Sequence, residues 1–341
     1  MSTPDEFQEM YAQEFPAPVT LLSKMRNGRY LNDTTFPALR WIVPQVVPEG
    51  MSVLIGAPKI GKSWLGLAFT LAAASGGRAL GQLEVGPARP VLHLALEDGH
   101  RRMQDRGRQL LAGDAFPPLF DYLLELEPGM IVATIAEWLM QPEVRLNPHP
   151  PFVLLDTLGK VMPDARPGES AYQRDYRIAG QLKRICDDVP GMGMLVLHHD
   201  RKAAADDFVD TVSGTNGIAG AADTIMALGR KRMETTGLLK VTGRDVDENE
   251  YAMTTEGGRW ELAGTLAQAA DVARSVRAAE GLADRSAEIL AVVEQHPEGV
   301  TAKDVGAILP DLDQKQIGVY LYRLEKAGRV CKPTRGTYAP R

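Results

Sequence analysis

The amino-acid sequence predicts an α/β fold, with a mainly parallel sheet in a large first domain and a small domain after it. Three observations favour this fold. Residues 51–63 have the pattern of an apolar strand, a glycine-containing loop and the start of a helix. Further apolar stretches, each ending in acidic residues or histidines, alternate with helical patterns. Residues 285–341 have the pattern of three helices and a short hairpin.

The loop after the first strand matches the phosphate-binding pattern G-x-x-x-x-G-K-[ST]. The two glycines allow backbone N–H groups to turn toward phosphate oxygens. The lysine ammonium would contact the β- and γ-phosphates, and the serine hydroxyl is a hard ligand for Mg²⁺. The dipole of the following helix favours the same anion. We therefore predict an ATP and Mg²⁺ site at Gly56, Ala57, Pro58, Lys59, Ile60, Gly61, Lys62, Ser63 and Trp64.

Net charge, cysteine spacing and the length of apolar runs limit the kinds of protein that this sequence can encode. A net charge of −6 argues against coating nucleic acid through overall charge, although it allows a local basic lining. The two cysteines, Cys186 and Cys331, lack metal-type spacing, so we expect reduced thiols. The first sixteen residues lack an apolar signal region, and the longest apolar run is too short to cross a bilayer. We expect a cytoplasmic protein with no membrane partner.

The segments around the loop are assigned in chain order. Residues 1–38 are polar and predict a loosely held arm, while the apolar segment 39–50 is expected to cross the nucleotide-binding edge of the sheet. A short hairpin is predicted within 76–90. The strand at 91–98 ends in Glu97, which we expect to orient or deprotonate the attacking water, and Asp98, which we expect to cap the next helix.

Two later apolar strands also end in polar residues. The strand at 152–157 ends in Asp156, the expected Walker B carboxylate that holds Mg²⁺ together with Ser63. The strand at 193–197 ends in His198 and His199, which could sense the γ-phosphate or DNA; a metal site there would need further ligands. Helices are predicted near 131–140 and 173–188, and two more strands at 224–232 and 238–245.

Five segments together resemble hexameric helicases of the plasmid RepA type, within the RecA-like P-loop ATPases. They are RWIVPQVVPEGMSVLIGAPKIGKS, VLHLALED, FVLLDTLGK, LVLHHDRK and SGTNGIAGAADTIM, and the resemblance covers residues 39–262. It implies a RecA-like fold, a homo-oligomer that is a hexamer, and ATP bound between subunits. It makes Lys62, Glu97, His198 and His199 catalytic or coupling residues, with an arginine supplied in trans. Arg244 is our candidate for this finger and Arg230 the alternative, because Thr242 stands where related helicases often have lysine.

The resemblance also implies DNA in a central channel, contacted by the loops at 159–172 and 201–217. The candidate phosphate-contacting residues there are Lys160, Arg166, Arg201 and Lys202. Tyr172 and Phe208 are the aromatic side chains of these loops that could stack on bases.

The C-terminal part divides into a helical linker at 263–284 and a winged-helix-like domain at 285–341. The latter is predicted to contain helices at 285–296, 301–309 and 313–327 and a wing at 329–339, with turn signals between them. From Asp311 onward it carries seven basic and three acidic residues. Duplex DNA is the expected partner, although protein contact is an alternative. The candidate DNA-binding residues are Lys315, Arg323, Lys332 and Arg335.

The leading hypothesis is an ATP-dependent DNA helicase or translocase of plasmid or phage replication. One alternative is a recombination-type ATPase that forms DNA filaments without unwinding. Another is a DNA-binding replication or regulatory protein, which finds its site through the winged helix and uses ATP to switch its assembly.

Overall fold

The computed structural model describes residues 22, 25–199, 217–231, 233–326, 328–334 and 336–341. The chain forms two units, Met1–Ala38 and Leu39–Arg341. In the described part of the first unit, α1 (Gly28–Asp33) begins after Asn27, whose side chain accepts a hydrogen bond from the Tyr30 backbone N–H.

A nine-stranded sheet organises the second unit, in the order β13-β12-β11-β10-β3-β9-β8-β6-β7. Six neighbouring strands are parallel, and β11, β12 and β13 extend the sheet in antiparallel pairing beyond β10. The strands are β3 (Gly50–Gly56), β6 (Val91–Ala95), β7 (Phe120–Leu123), β8 (Phe152–Asp156), β9 (Gly193–His199), β10 (Thr224–Gly229), β11 (Thr236–Gly243), β12 (Asn249–Glu256) and β13 (Arg259–Leu262).

Helices cover both faces of this sheet, which explains why its central strands are continuous apolar runs. Leu54 and Leu154 pack with Phe69 on one face, whereas Val53 and Val153 belong to a second core on the other. The helices are α2 (Lys62–Ser75), α3 (His100–Leu111), α4 (Ile131–Leu139), α5 (Pro142–Arg145), α6 (Ala171–Asp188) and α7 (Gly217–Ala221). This mostly parallel sheet between helices fits the predicted RecA-like α/β fold.

Two small hairpins flank the main sheet. The predicted hairpin within 76–90 is present as β4 (Arg78–Ala79) and β5 (Leu83–Glu84). The expectation for residues 39–50 is wrong, because β1 (Trp41–Val43) and β2 (Val47–Pro48) lie at the opposite edge of the sheet. There Ile42 packs so closely on Gly193, at the start of β9, that a Cβ at Gly193 would stand 2.3 Å from its side chain.

The C-terminal segment has its own apolar core, which includes Ile289, Val293, Ile317 and Leu321. A single long helix, α8, spans both the predicted linker and most of the first predicted C-terminal helix. The elements are α8 (Leu266–Glu294), β14 (Val300–Thr301), α9 (Ala302–Ile308), α10 (Gln314–Lys326), β15 (Val330–Thr334) and β16 (Thr337–Pro340). The three strands pair in the order β14-β16-β15.

Membrane-crossing helices are not found in the part of the chain that the structure describes: none of its helices combines sufficient length with sufficient apolar character.

Candidate nucleotide-binding site

The loop from Gly56 to Gly61 joins β3 to α2 at the carboxyl end of the parallel strands. Gly61 has a φ of 112°, and a Cβ there would stand 2.8 Å from the Trp260 indole nitrogen. At Gly56 a Cβ would stand 2.7 Å from the Leu228 carbonyl oxygen. Both glycines are therefore required by the close approach of neighbouring atoms, and Gly61 also by its backbone conformation.

The side chain of Lys62 is folded against this loop. It is 4% exposed, and its Nζ donates to the carbonyl oxygens of Gly56 at 2.7 Å and Ala57 at 3.1 Å. The ammonium is thus held at the loop that would surround the phosphates in the predicted site.

Asp156 ends β8 two strands away from β3, in contact with the start of α2. The pKa of Asp156 is raised to about 6, mainly by burial. The Ser63 side chain opposes this rise through a hydrogen bond, the charges of Asp98 and Glu97 add to it, and the charge of Arg106 opposes it. Its Oδ1 is buried without a hydrogen-bond partner. A carboxylate oxygen left unpaired beside a serine hydroxyl is a donor set that suits Mg²⁺.

Glu97 lies exposed just beyond the end of β6 and faces the same edge. Its Oε1 accepts a hydrogen bond from the Thr157 hydroxyl at 3.2 Å, and the Leu96 N–H donates to the Asp156 carbonyl at 2.7 Å. The peptide bond between Asp156 and Thr157 is cis. The two predicted carboxylates, Glu97 and Asp156, are therefore brought together at one edge.

The predicted capping role of Asp98 is wrong. The N-cap of α3 is Gly99, and the Asp98 carboxylate instead accepts from Arg102 at 3.1 Å and Arg106 at 2.7 Å. Arg106 also lies over the ring of Trp64, 5.4 Å from the ring centroid. Sequence reasoning missed this cluster, although both arginines follow Asp98 at intervals of one helical turn.

The hairpin of β12 and β13 closes over the P-loop from the other side. The Trp260 indole N–H donates to the Gly61 carbonyl at 3.2 Å, and the guanidinium of Arg230 lies 5.9 Å from the centroid of the same ring. Trp260 has no role in the sequence analysis, because nothing in its local pattern points to a contact with the P-loop.

A cavity of about 620 Å³ lies beside the P-loop. Ile55, Ala57 and Ile60 line it from the loop side, and Val272 and Val276 line it from α8. Arg230, Lys231 and Lys240 bring positive charge to this cavity. Gly56, Ala57 and Ile60 of the P-loop form part of its wall, so the cavity adjoins the predicted phosphate site directly.

The remaining predicted residues lie in several parts of the chain. His198 and His199 end β9 in register with Ile55 and Gly56, so their backbones flank the P-loop. Arg244 lies at the opposite edge, where its side chain is 65% exposed and 3.6 Å from Asp223. Two of the remaining basic candidates, Lys160 and Arg166, are exposed after β8. Three lie in the C-terminal segment: Lys315 and Arg323 on α10 and Lys332 on β15. The candidates outside the described residues are Arg201, Lys202 and Arg335, together with the aromatic residue Phe208.

Comparison with known proteins tests the fold and the site as a whole. The family model described as an AAA domain, AAA_25, matches residues 22–205, just over half of the chain. The chain belongs to this family. The prediction of a P-loop ATPase is thereby confirmed for this AAA domain, while the roles of individual residues remain predictions.

Two further comparisons add little to this assignment. No curated protein matches the sequence of this AAA domain protein. Among solved structures, it is similar to a chain described as an ATPase domain, at 13% identity and a TM-score of 0.49, over 76% of this chain and 99% of that chain.

Proposed function

We propose that the chain is an ATP-dependent DNA helicase or translocase of plasmid or phage replication, acting as a ring-shaped hexamer. One observation supports this proposal most directly. A single edge of the sheet carries Lys62 and Ser63 after β3, His198 at the end of β9, Asp156 at the end of β8 and Glu97 after β6. This is the arrangement that the RepA-type resemblance implies.

Each residue of this edge has a chemical role in the proposal. Lys62 neutralises charge on the β- and γ-phosphates, and Glu97 orients or deprotonates the attacking water. Ser63 and Asp156 would hold Mg²⁺, because a hydroxyl and an unpaired carboxylate oxygen meet there. When bound, Mg²⁺ neutralises charge on the phosphate oxygens.

The proposal places the nucleotide between subunits, with Arg244 of one subunit reaching the ATP of the next. The exposure of Arg244 at the edge away from its own P-loop supports this assignment, since a finger supplied in trans must be accessible to a neighbour. Arg230 is the alternative, although it lies beside the P-loop of its own subunit.

DNA contact is assigned to the loops that follow β8 and β9. Lys160 and Arg166 are exposed after β8 and would contact backbone phosphates together with Arg201 and Lys202. His198 and His199 end β9 in register with Ile55 and Gly56 beside the P-loop, so we assign them to coupling between nucleotide state and DNA.

A second candidate is an ATP-switched DNA-binding replication or regulatory protein. The C-terminal order of helix, strand, two helices and two strands favours it, because this is the order of a winged helix. Lys315 and Arg323 on α10 and Lys332 on β15 would contact duplex DNA. A footprint on one duplex sequence, lost on removal of residues 285–341, would support this function.

Steady-state ATP hydrolysis with and without single-stranded DNA tests the leading proposal. We expect strong stimulation by single strands, loss of hydrolysis in Lys62→Ala and Glu97→Gln, and closed rings by electron microscopy with ATP and DNA. Normal hydrolysis in both variants would contradict the site assignment. Open helices would favour a filament-forming ATPase, and hydrolysis indifferent to single strands would favour the winged-helix switch.

A further inference from the structure

Two exposed tyrosines form a stacked pair on the first turns of α6. Tyr172 and Tyr176 are four residues apart, and their rings are almost parallel, with an interplanar angle of 13° and a centroid separation of 6.2 Å. Tyr172 is 48% exposed and Tyr176 is 51% exposed. About half of each side chain is therefore accessible, although Gly220 of α7 lies near both, where a Cβ would stand 3.9 Å from the Tyr172 hydroxyl and from the Tyr176 ring.

The pair lies at the edge of the sheet that carries the nucleotide site. Because α6 follows β8 through the segment after Asp156, its first turns stand at the carboxyl end of the strands. Gly217, where α7 begins, contacts the same turns: a Cβ there would stand 2.6 Å from the Tyr172 carbonyl oxygen and 2.5 Å from the Tyr176 nitrogen. The tyrosines therefore lie at the end of the segment that follows β8, and their backbone contacts Gly217, the last residue of the other segment that the proposed function assigns to DNA.

The start of α6 is stabilised by a helix cap and an ion pair, which position the backbone that carries the two tyrosines. Ser170 and Gln173 form a reciprocal capping box around the first turn. Arg177 donates to both oxygens of Glu169, at 2.7 and 2.9 Å. Such a platform would lose little conformational freedom on binding a ligand.

The local charge suits a polyanion. Residues 159–177 contain four basic and three acidic residues, on a chain with a net charge of −6. Two of the three acidic residues are already paired within the segment, Glu169 with Arg177 and Asp175 with Arg174. Lys160 and Arg166 are exposed on the same segment.

We propose that Tyr172 and Tyr176 form a stacking platform for the unpaired bases of single-stranded DNA. This inference rests on the proposed DNA translocase function and adds base contact to the phosphate contacts assigned there. Every base has a π-face, so the platform binds single strands with little sequence preference. A duplex, in which the bases are stacked on each other, does not engage it.

Binding of labelled oligodeoxythymidine, compared with an abasic strand of equal length at one fixed salt concentration, tests the inference. We expect Tyr172→Ala and Tyr176→Ala each to weaken oligodeoxythymidine binding by about 5- to 150-fold. The phenylalanine variants keep the ring and should bind like wild type. Tyr122→Ala is the matched control, because Tyr122 is 42% exposed on the edge strand β7.

The abasic strand provides a readout that does not depend on any variant. A double variant that carries both Tyr172→Ala and Tyr176→Ala should bind the two strands equally. The wild-type protein should bind the abasic strand about as weakly as this double variant binds oligodeoxythymidine. If wild type binds both strands equally, or if the alanine variants bind oligodeoxythymidine normally, the platform is overturned while the translocase proposal stands. Alanine variants that lose assembly in sedimentation but keep the base dependence would assign the tyrosines to a subunit contact instead. Wild type that binds neither strand would overturn both proposals.

Discussion

His93 is a buried titratable residue on β6, the strand next to the edge strand β7, and its replacement should change the pH dependence of stability. It lies on β6 between β8 and β7, it is 1% exposed, and both of its ring nitrogens lack a hydrogen-bond partner. Its ring meets Phe120 edge to face, with the centroids 6.1 Å apart. Burial and, as a smaller cause, the charge of Arg106 together lower the pKa of His93 to about 3.

The sign of the effect follows from proton uptake by the unfolded chain. Because the pKa of His93 is lower in the folded protein than the unfolded value of 6.5, the unfolded state binds an additional proton between these two values. The free energy of unfolding therefore falls as the pH drops below 6.5 and continues to fall until about pH 3. At pH 5 the loss from His93 alone is about 2 kcal/mol, on the scale of about 1.4 kcal/mol per pH unit.

His93→Leu should remove this contribution. The substitution changes packing equally at both pH values, so the informative quantity is the difference in Tm between pH 7.5 and pH 5. We expect that difference to be smaller in His93→Leu than in wild type by roughly 4 °C. Leu94→Val, a neighbouring core change without a titratable group, should keep the wild-type pH difference. An equal pH difference in wild type and His93→Leu would refute the reasoning.

Three further predictions concern the nucleotide site. Glu97→Gln should keep ATP binding but lower kcat by about 10²–10⁴-fold, measured by phosphate release. Trp260→Phe should weaken binding of a fluorescent ATP analogue about fivefold, because the P-loop loses a hydrogen bond worth about 1 kcal/mol. Unchanged affinity would show that the Trp260 hydrogen bond does not stabilise the P-loop for ATP binding. Arg106→Gln should lower the free energy of unfolding by about 1–2 kcal/mol, because the Asp98 side chain is buried, whereas the exposed Arg102→Gln should have almost no effect. Urea unfolding measures both variants, and an equal loss of unfolding free energy in the two would show that the Arg106–Asp98 pair is no more stabilising than the Arg102–Asp98 pair.

The positions of the strand-end residues could be predicted because they depend on chain order and local pattern. An apolar run of four or five residues in an α/β chain becomes a parallel strand, and the carboxyl ends of parallel strands meet at one edge. That reasoning places Glu97, Asp156 and His198 beside the P-loop from chain order alone.

Contacts between distant parts of the chain could not be predicted in this way. Trp260 bonds to a glycine 199 residues earlier, and only the folded sheet brings them together. The strands β12 and β13 were also missed, although Gly257 and Gly258 between them are a hairpin signal. The capping assignment of Asp98 failed because a carboxylate before a helix can bind arginines within that helix as well as its first N–H groups.

The long helix α8 links two parts of the molecule through one continuous rod. Val272 and Val276 line the cavity beside the P-loop, and Ile289 and Val293 belong to the C-terminal core. A tilt of about 10° at the cavity would displace the far end of the helix, about 30 Å away, by about 5 Å. Such a tilt would move the C-terminal end of α8 by about the length of one helical turn.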